Sequence, residues 1–249
     1  MAEGNLPTKA LVLTFDDGYQ DNFINALPVL EKHRCAATFF IASKGIEQGY
    51  LWNDQVQQLI IATEAEKISK EITGVVLPLH SKQEKIQSFN ALITYLKFLD
   101  QNTRTMKIKL LEDELGAVIY KRTMMTASQV KQLTDKGFML GAHTHNHTIL
   151  STETKQVTID ELQTNKVYLE TLTRKEIDSI AFPNGLYNRD YNKEHCGAAK
   201  QLKFRFGFST NDGGAFQHTP KFALPRFMPF RRNLSLFSLS IAKIASENG

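Results

Sequence analysis

The chain reads as an α/β protein built around a parallel sheet or barrel. Three observations predict it. Short apolar runs recur along the sequence with helical patterns between them. The first strand–helix–strand unit closes within about thirty residues, the size of a βαβ unit. Each apolar run also stops abruptly at polar, turn-forming residues, as strands covered on both faces of a parallel sheet do.

The elements follow in order. Ala10-Leu11-Val12-Leu13-Thr14-Phe15 is almost wholly apolar, which suits a strand buried on both faces, and it ends at Asp16-Asp17-Gly18. Residues 22–33 carry Phe23, Ala26, Leu27 and Leu30 at helical spacing, and Pro28 predicts a kink or a fresh helical start. Ala36-Ala37-Thr38-Phe39-Phe40-Ile41-Ala42 is the next buried strand. Further on, Thr126-Ala127-Ser128-Gln129 has the pattern in which the Thr126 hydroxyl caps the first turn and Gln129 reaches back. Val130 and Leu133 give this helix its apolar stripe, and Gly137 stops it. Phe138-Met139-Leu140-Gly141-Ala142 is then a strand with His143 at its C-terminal end. A helix over 159–172, a strand leading through 176–182 to Pro183-Asn184-Gly185, a helix over 190–202, a strand over 204–209 and a helix over 234–245 complete the series.

Residues 50–125 interrupt the alternation. Helical patterns cover 52–62, 82–99 and 106–115, Lys and Glu are frequent, and Pro78 is the only proline. A plain βα crossover needs no excursion of about seventy residues. The segment is therefore expected to be a mainly helical insertion within one domain spanning 1–249, either capping a site or shielding a sheet edge. Trp52, the sole tryptophan, either packs the first inserted helix or stacks on a sugar, and packing is the preferred reading.

Composition narrows the function classes. An apolar fraction of 42% and a charged fraction of 22% describe a soluble, core-forming chain. Thirty basic against 26 acidic residues give +4, too mild and too dispersed for nucleic-acid binding, and at most compatible with an anionic surface. Neither GxGxxG nor GxxxxGK(S/T) is present, so no phosphate loop is expected. No segment approaches the roughly twenty apolar residues of a transmembrane helix. The N-terminus is neither basic nor apolar enough for a signal peptide. The expected location is thus cytoplasmic, or at the cell envelope if a native leader precedes the chain. Cys35 and Cys196 sit beside small residues and read as buried free thiols, and without a CxxC pair they offer no thiolate metal site. There is no GxSxG elbow for serine catalysis, and the adjacency of His195 to Cys196 in sequence is poor evidence for a facing nucleophile–base pair. His33 and His80 lack a supporting cluster and read as surface residues.

The sharp clusters lie just past strands, at the end where β/α folds open the mouth that binds ligands. Asp16 and Asp17 would face opposite ways along a continuing strand, whereas a turn at Gly18 lets both approach one site. Two close carboxylates repel, so a cation or basic partner is expected to keep them ionised. The competing reading is an ordinary Asp-Gly turn with solvated carboxylates. His143 and His147 are four apart, the separation that places both on one helical face, with His145 turned elsewhere. The competing reading there is a polar histidine-rich loop. One carboxylate with two imidazoles suits zinc and leaves coordination positions open for water and substrate. Asp16 would then be the general base of a hydrolytic centre.

At this point the motifs resemble a known family. Thr14-Phe15-Asp16-Asp17-Gly18, Ala37-Thr38-Phe39-Phe40 and His143-Thr144-x-x-His147 look like the polysaccharide deacetylase family, also called the NodB-homology or carbohydrate esterase family 4 domain, over about residues 10–230 apart from the insertion. The resemblance implies a distorted (β/α) barrel with fewer than eight regular strands. It implies that Asp16 is the catalytic base, that Asp17, His143 and His147 hold a divalent metal, most commonly Zn2+, and that Thr144 supports the histidine loop. His145 is not carried over as a ligand. The family's Arg-x-Pro-aromatic-Gly motif stands here as Ala181-Phe182-Pro183-Asn184-Gly185. The backbone N–H of Asn184 is thus the implied oxyanion donor, while the arginine that steadies the base is missing. Arg226, in Leu224-Pro225-Arg226-Phe227, is the expected substitute, because that stretch resembles C-terminal segments of exopolysaccharide-deacetylase relatives. The Leu-x-His that supplies the family's general acid has no clean match, and His218 is the candidate for that role.

The implied reaction is removal of an N-acetyl group from a carbohydrate or glycan. The alternatives are an O-acetyl esterase or other small-amide hydrolase on the same metal site, or a non-catalytic carbohydrate-binding module.

Overall fold

The computed structural model describes residues 10–228 and 233–246. Five short strands make one sheet: β1 (Leu13–Phe15), β2 (Ala37–Ile41), β5 (Met139–Ala142), β6 (Ser179–Ala181) and β7 (Phe206–Phe208), the numbers β3 (Lys67–Ile68) and β4 (Leu77–Pro78) belonging to a small antiparallel pair between β2 and β5. The sheet order is β1-β2-β5-β6-β7, every pair is parallel, and the sheet curls into an open half-barrel. All five strands therefore end on the same side, which brings the loops after β1, β5 and β6 together.

Helices cross between the strands. α1 (Leu27–His33) continues directly from a π-helical turn, Asn22–Ala26, and Pro28, which has no N–H to give to the preceding turn, sits just past this change of helical period. α2 (Ser43–Gln48) starts directly after β2. α7 (Ala127–Asp135) carries the expected reciprocal cap: Gln129 N donates to Thr126 Oγ1 at 3.2 Å, and Thr126 N donates to Gln129 Oε1 at 2.9 Å. α8 (Lys155–Thr173) and α9 (Lys193–Gln201) cover the sheet further along, and α10 (Leu234–Ser246) comes last.

Between β2 and β5 the chain is mainly helical, with α3 (Trp52–Ala62), α4 (Lys70–Thr73), α5 (Lys82–Lys97) and α6 (Gln101–Leu115). α6 starts ahead of the expected 106–115 pattern because Asp100 caps it, accepting from Thr103 N at 3.0 Å. The β3–β4 pair has no counterpart in the sequence reading, since two-residue strands carry no periodicity. This segment buries its own cluster, including Leu59, Ile72, Leu92, Leu96 and Leu111, apart from the sheet core around Phe39, Ile41, Leu162 and Ile180. Trp52 packs against the former cluster, as preferred above.

Two expectations need correction. The expected strand over 10–15 is shorter and less buried than its apolar run suggests: Leu13–Phe15 pair with β2 and are half-buried, Leu11 and Val12 ahead of them are 64% and 70% exposed, and among the described residues β1 is an edge of the sheet. Cys35 and Cys196 are free thiols but only half-buried. Burial nevertheless pushes the Cys196 thiol up to about 11, and the neighbouring His195 ring accepts from Asn192 N through Nδ1 at 3.0 Å.

At the centre of the sheet, Phe40 and Gly141 are register partners on β2 and β5. A Cβ on Gly141 would stand 2.3 Å from the Phe40 ring, which is itself fully buried and tilted against Phe208. Gly141→Ala is therefore expected to cost about 1–3 kcal/mol through overpacking, read as a lower urea midpoint. An unchanged midpoint would show that this contact is not tight.

Candidate metal centre

Gly18 shapes the first loop. Its φ of +95° is open to glycine, and a Cβ there would meet Ile41 Cδ1 at 3.2 Å. Gly18 N donates to the Asp16 carbonyl at 2.9 Å, and the Asp17 carbonyl accepts from Ala42 N at 3.0 Å, which docks the loop onto the end of β2. Asp17 itself is held at φ +71°. That left-handed residue turns the adjacent carboxylates in different directions.

Asp17 faces the histidines. Its Oδ1 is 3.1 Å from His143 Nε2 and 3.1 Å from His147 Nε2. Burial works to raise the Asp17 pKa, but the charge of His147 and hydrogen bonds from both rings hold it far below the usual carboxylate range. His143 behaves conversely: burial opposes its charge, yet the hydrogen bond to Asp17 and the charges of Asp16 and Asp17 raise its pKa.

The histidines do not share a helical face. Residues 143–147 form a loop in which Thr144 and His147 take φ of +58° and +53°. Thr144 Oγ1 accepts from Thr148 N at 2.9 Å, closing that loop in the supporting role the resemblance implied. Strain of this kind concentrates at functional sites. His145 points away and pairs with Ser43 Oγ through Nδ1 at 2.8 Å.

Asn165 and Glu161 on α8, absent from the sequence reading, hold the loop from behind. Asn165 Oδ1 accepts from His143 N at 3.0 Å, and its amide donates to the Ile41 carbonyl at 3.0 Å and to Ser43 Oγ at 2.8 Å. Glu161 receives both the backbone N–H and the side-chain amide of Asn146, at 2.8 and 2.6 Å. A signal was present: Thr158, Glu161 and Asn165 are polar at helical spacing on one face, and all three are buried.

Asp16 faces Arg226. The guanidinium donates from Nη1 to Oδ1 and from Nη2 to Oδ2, both at 2.7 Å, and is anchored by Nη1 to Thr14 Oγ1 at 3.2 Å and Nε to the Ser209 carbonyl at 3.0 Å. This two-pronged geometry fixes the plane of the carboxylate. Past the end of β6, Asn184 has φ +58°, its carbonyl accepts from Thr210 Oγ1, and Gly185 N–H donates to the Pro183 carbonyl at 2.7 Å while the Gly185 carbonyl accepts from Thr210 N at 2.9 Å. Among the described residues the Asn184 N–H is uncommitted. His218 is not brought to this cluster. It is exposed, with its ring 6.1 Å from that of Phe216, in a turn closed by Thr219 N donating to the Phe216 carbonyl.

The donor set fits a divalent ion. Ligands 2.0–2.2 Å from a tetrahedral centre lie about 3.3–3.6 Å apart, close to the 3.1 Å that separates Asp17 Oδ1 from each histidine Nε2, and all three ligand atoms lie within 4.8 Å of one another. The rings give a sharper test. His143 Nδ1–H donates to the Ala181 carbonyl at 2.7 Å while Nε2 faces Asp17, so without a cation this buried ring must carry a proton on each nitrogen. An ion replaces the Nε2 proton and leaves the Nδ1 bond intact, the arrangement typical of metal-binding histidines. Asp17, His143 and His147 are thus able to bind a metal.

The fold and site together describe a β/α half-barrel protein with a carboxylate and two imidazoles, able to bind a metal, at its strand ends. The chain belongs to the polysaccharide deacetylase family, whose model matches residues 3–207. It is 21% identical over 218 residues to the protein YxkH of Bacillus subtilis (strain 168), covering 88% of this chain and 50% of that relative, so it spans about half of YxkH. In fold it is similar to the Streptococcus pyogenes deacetylase PplD solved with acetate, with TM-score 0.56 and 21% identity over 90% of this chain and 66% of the other. It is likewise similar to a de-N-acetylase from Aggregatibacter actinomycetemcomitans, with TM-score 0.56 and 15% identity over 95% and 77%.

Purified chain loaded with zinc is expected to retain about one ion, and Asp17→Ala to retain less than about a tenth of that. Retention is expected to weaken on acidification, since protons compete for the imidazoles. Elemental analysis after gel filtration checks both; equal retention by Asp17→Ala would contradict the assignment.

Proposed function

We propose that this chain is a metal-dependent hydrolase that removes the N-acetyl group from an acetylated carbohydrate or glycan and releases acetate. The observation that carries this reading is the pairing of Asp16 with Arg226 beside the Asp17, His143 and His147 cluster. A binding module needs no second carboxylate held in a fixed plane next to its metal ligands.

Asp17, His143 and His147 would hold the ion, and zinc suits this mixed carboxylate and imidazole set. Such an ion supplies acidified water and polarisation of the acyl oxygen. Asp16 accepts the proton of the attacking water. Arg226 occupies one side of both Asp16 oxygens, so the carboxylate keeps its plane while a remaining lone pair takes that proton. The uncommitted N–H of Asn184 donates to the oxygen on which negative charge develops. With His218 exposed at its turn, Asp16, now protonated, is the group that returns the proton to the departing nitrogen.

A single carboxyl serving as base and then acid favours a second substrate in one respect: an alkoxide from an O-acetyl ester needs less proton assistance than an amine. Acetate release from matched N-acetyl and O-acetyl saccharides by the zinc-loaded chain separates the two. The expected result is turnover of the amides. Asp16→Asn is expected to keep its zinc and to lose turnover by about 10²–10⁴-fold. Undiminished acetate release by Asp16→Asn would overturn its role, and release from esters alone would move the assignment to an esterase. Saccharide binding with no release from either would leave a carbohydrate-binding module.

A further inference from the structure

A cavity of about 340 Å³ lies between the segment that joins β2 to β5 and the histidine loop. Its wall includes Trp52 and Gln55 from α3, Gln101 and Arg104 from α6, Lys44 from α2 and Asn146, the residue before His147. The volume is within the range of small-ligand sites.

Two donors in this wall are poorly served by the protein. Arg104 is 3% exposed, and among the described residues its guanidinium makes one hydrogen bond, to the Leu99 carbonyl at the long distance of 3.5 Å. Its plane stands over the Trp52 ring at 5.0 Å. Trp52 Nε1 is buried with no partner among the described residues. Native proteins seldom leave such groups unpaired, and each instance calls for an explanation.

The charged side chains of the wall have opposite charges near them: Lys109 pairs with Asp113 at 2.9 Å and lies 3.9 Å from Glu112, which also lines the cavity, Lys44 pairs with Glu47 at 3.5 Å, and Glu153, Glu161 and Asp100 act on Arg104. An anion would find little uncompensated charge. The side-chain amide of Gln101 makes no hydrogen bond among the described residues and can both donate and accept, while Gln55 and Asn146, whose amides donate to Glu112 and Glu161 at 2.9 and 2.6 Å, keep their carbonyl oxygens as acceptors for hydroxyls.

We propose that this cavity is a saccharide subsite that takes a neutral glycosyl unit of the same chain whose acetyl group lies at the metal centre. The inference rests on the carbohydrate reading above. Its occupant reaches the catalytic loop through Asn146, which Glu161 ties to α8 next to His147. A unit held there fixes the position of the neighbouring unit along the chain.

Trp52 is the sole tryptophan, so its emission reports the cavity without any need for turnover. The zinc-loaded full chain is titrated with N-acetylglucosamine and with its β-1,4- and β-1,6-linked oligomers of two to six units, and acetate release is measured in parallel. A saturable change in Trp52 emission is expected, at least tenfold tighter for oligomers than for the monomer. Gln101→Ala is expected to weaken it at least fivefold and to raise KM for oligomers while leaving KM for the monomer within twofold. Gln101 is only half-buried and no hydrogen bond from its side chain is seen, so this variant tests the site without disturbing the fold, and unchanged circular dichroism verifies that. Acetate release with no change in Trp52 emission at any length would overturn the subsite and leave the deacetylase reading standing. An emission change without acetate release would do the reverse. Tighter response to oligomers of glucuronic acid than to neutral ones would also overturn the proposal.

Discussion

Two neighbouring carboxylates repel each other, and the repulsion is relieved when each has a positive or hydrogen-bond-donating partner of its own. The arrangement around Asp16 and Asp17 follows from that constraint. The left-handed backbone at Asp17 and the glycine after it split the pair, sending one carboxylate to two imidazoles and the other to a guanidinium. Each carboxylate gains its own positive or metal-like environment a single peptide unit apart. The remaining structure supplies those environments: β5 ends at His143, the loop after β7 carries Arg226 back across β1, and α8 holds the histidine loop in place through Asn165 and Glu161.

The buried amide of Asn165 shows how the scaffold sets the chemistry. It bonds the end of β2, the start of α2 and the backbone of His143 at once, so one side chain ties the ends of β2 and β5, and Ala42 N, just past β2, in turn donates to the Asp17 carbonyl. The Ala181 carbonyl, at the end of β6, then fixes which nitrogen of His143 faces the metal position. Three adjacent strands thus contribute to the orientation of one ring. This is why a sheet only three to five residues long per strand is sufficient: the register, rather than the length of the strands, sets the geometry.

Much of this was legible in the sequence, and the failures have physical causes. Strand–helix alternation, the Thr126 cap and the position of both motifs at strand ends follow from local pattern and turn chemistry. The edge position of β1 did not, because an apolar run says what can be buried and not how many neighbours it has. The four-residue spacing of His143 and His147 suggested a helix, whereas the chain reaches the same convergence with two left-handed residues, a conformation that Thr144 and His147 do not advertise. Arg226 was reached only through resemblance, since a partner 210 residues from Asp16 leaves no local trace. His218 illustrates the opposite case: a chemically suitable residue in the right part of the chain, turned outward by the Phe216–Thr219 turn.

The central claim is that Asp17, His143 and His147 form an open, three-ligand metal centre. X-ray absorption at the zinc edge of the loaded chain tests it most directly. The account predicts two imidazole nitrogens and oxygen scatterers at about 2.0–2.2 Å, with no sulfur, and loss of one imidazole signature in His147→Ala. A sulfur scatterer near about 2.3 Å, or a shell unchanged by His147→Ala, would contradict it.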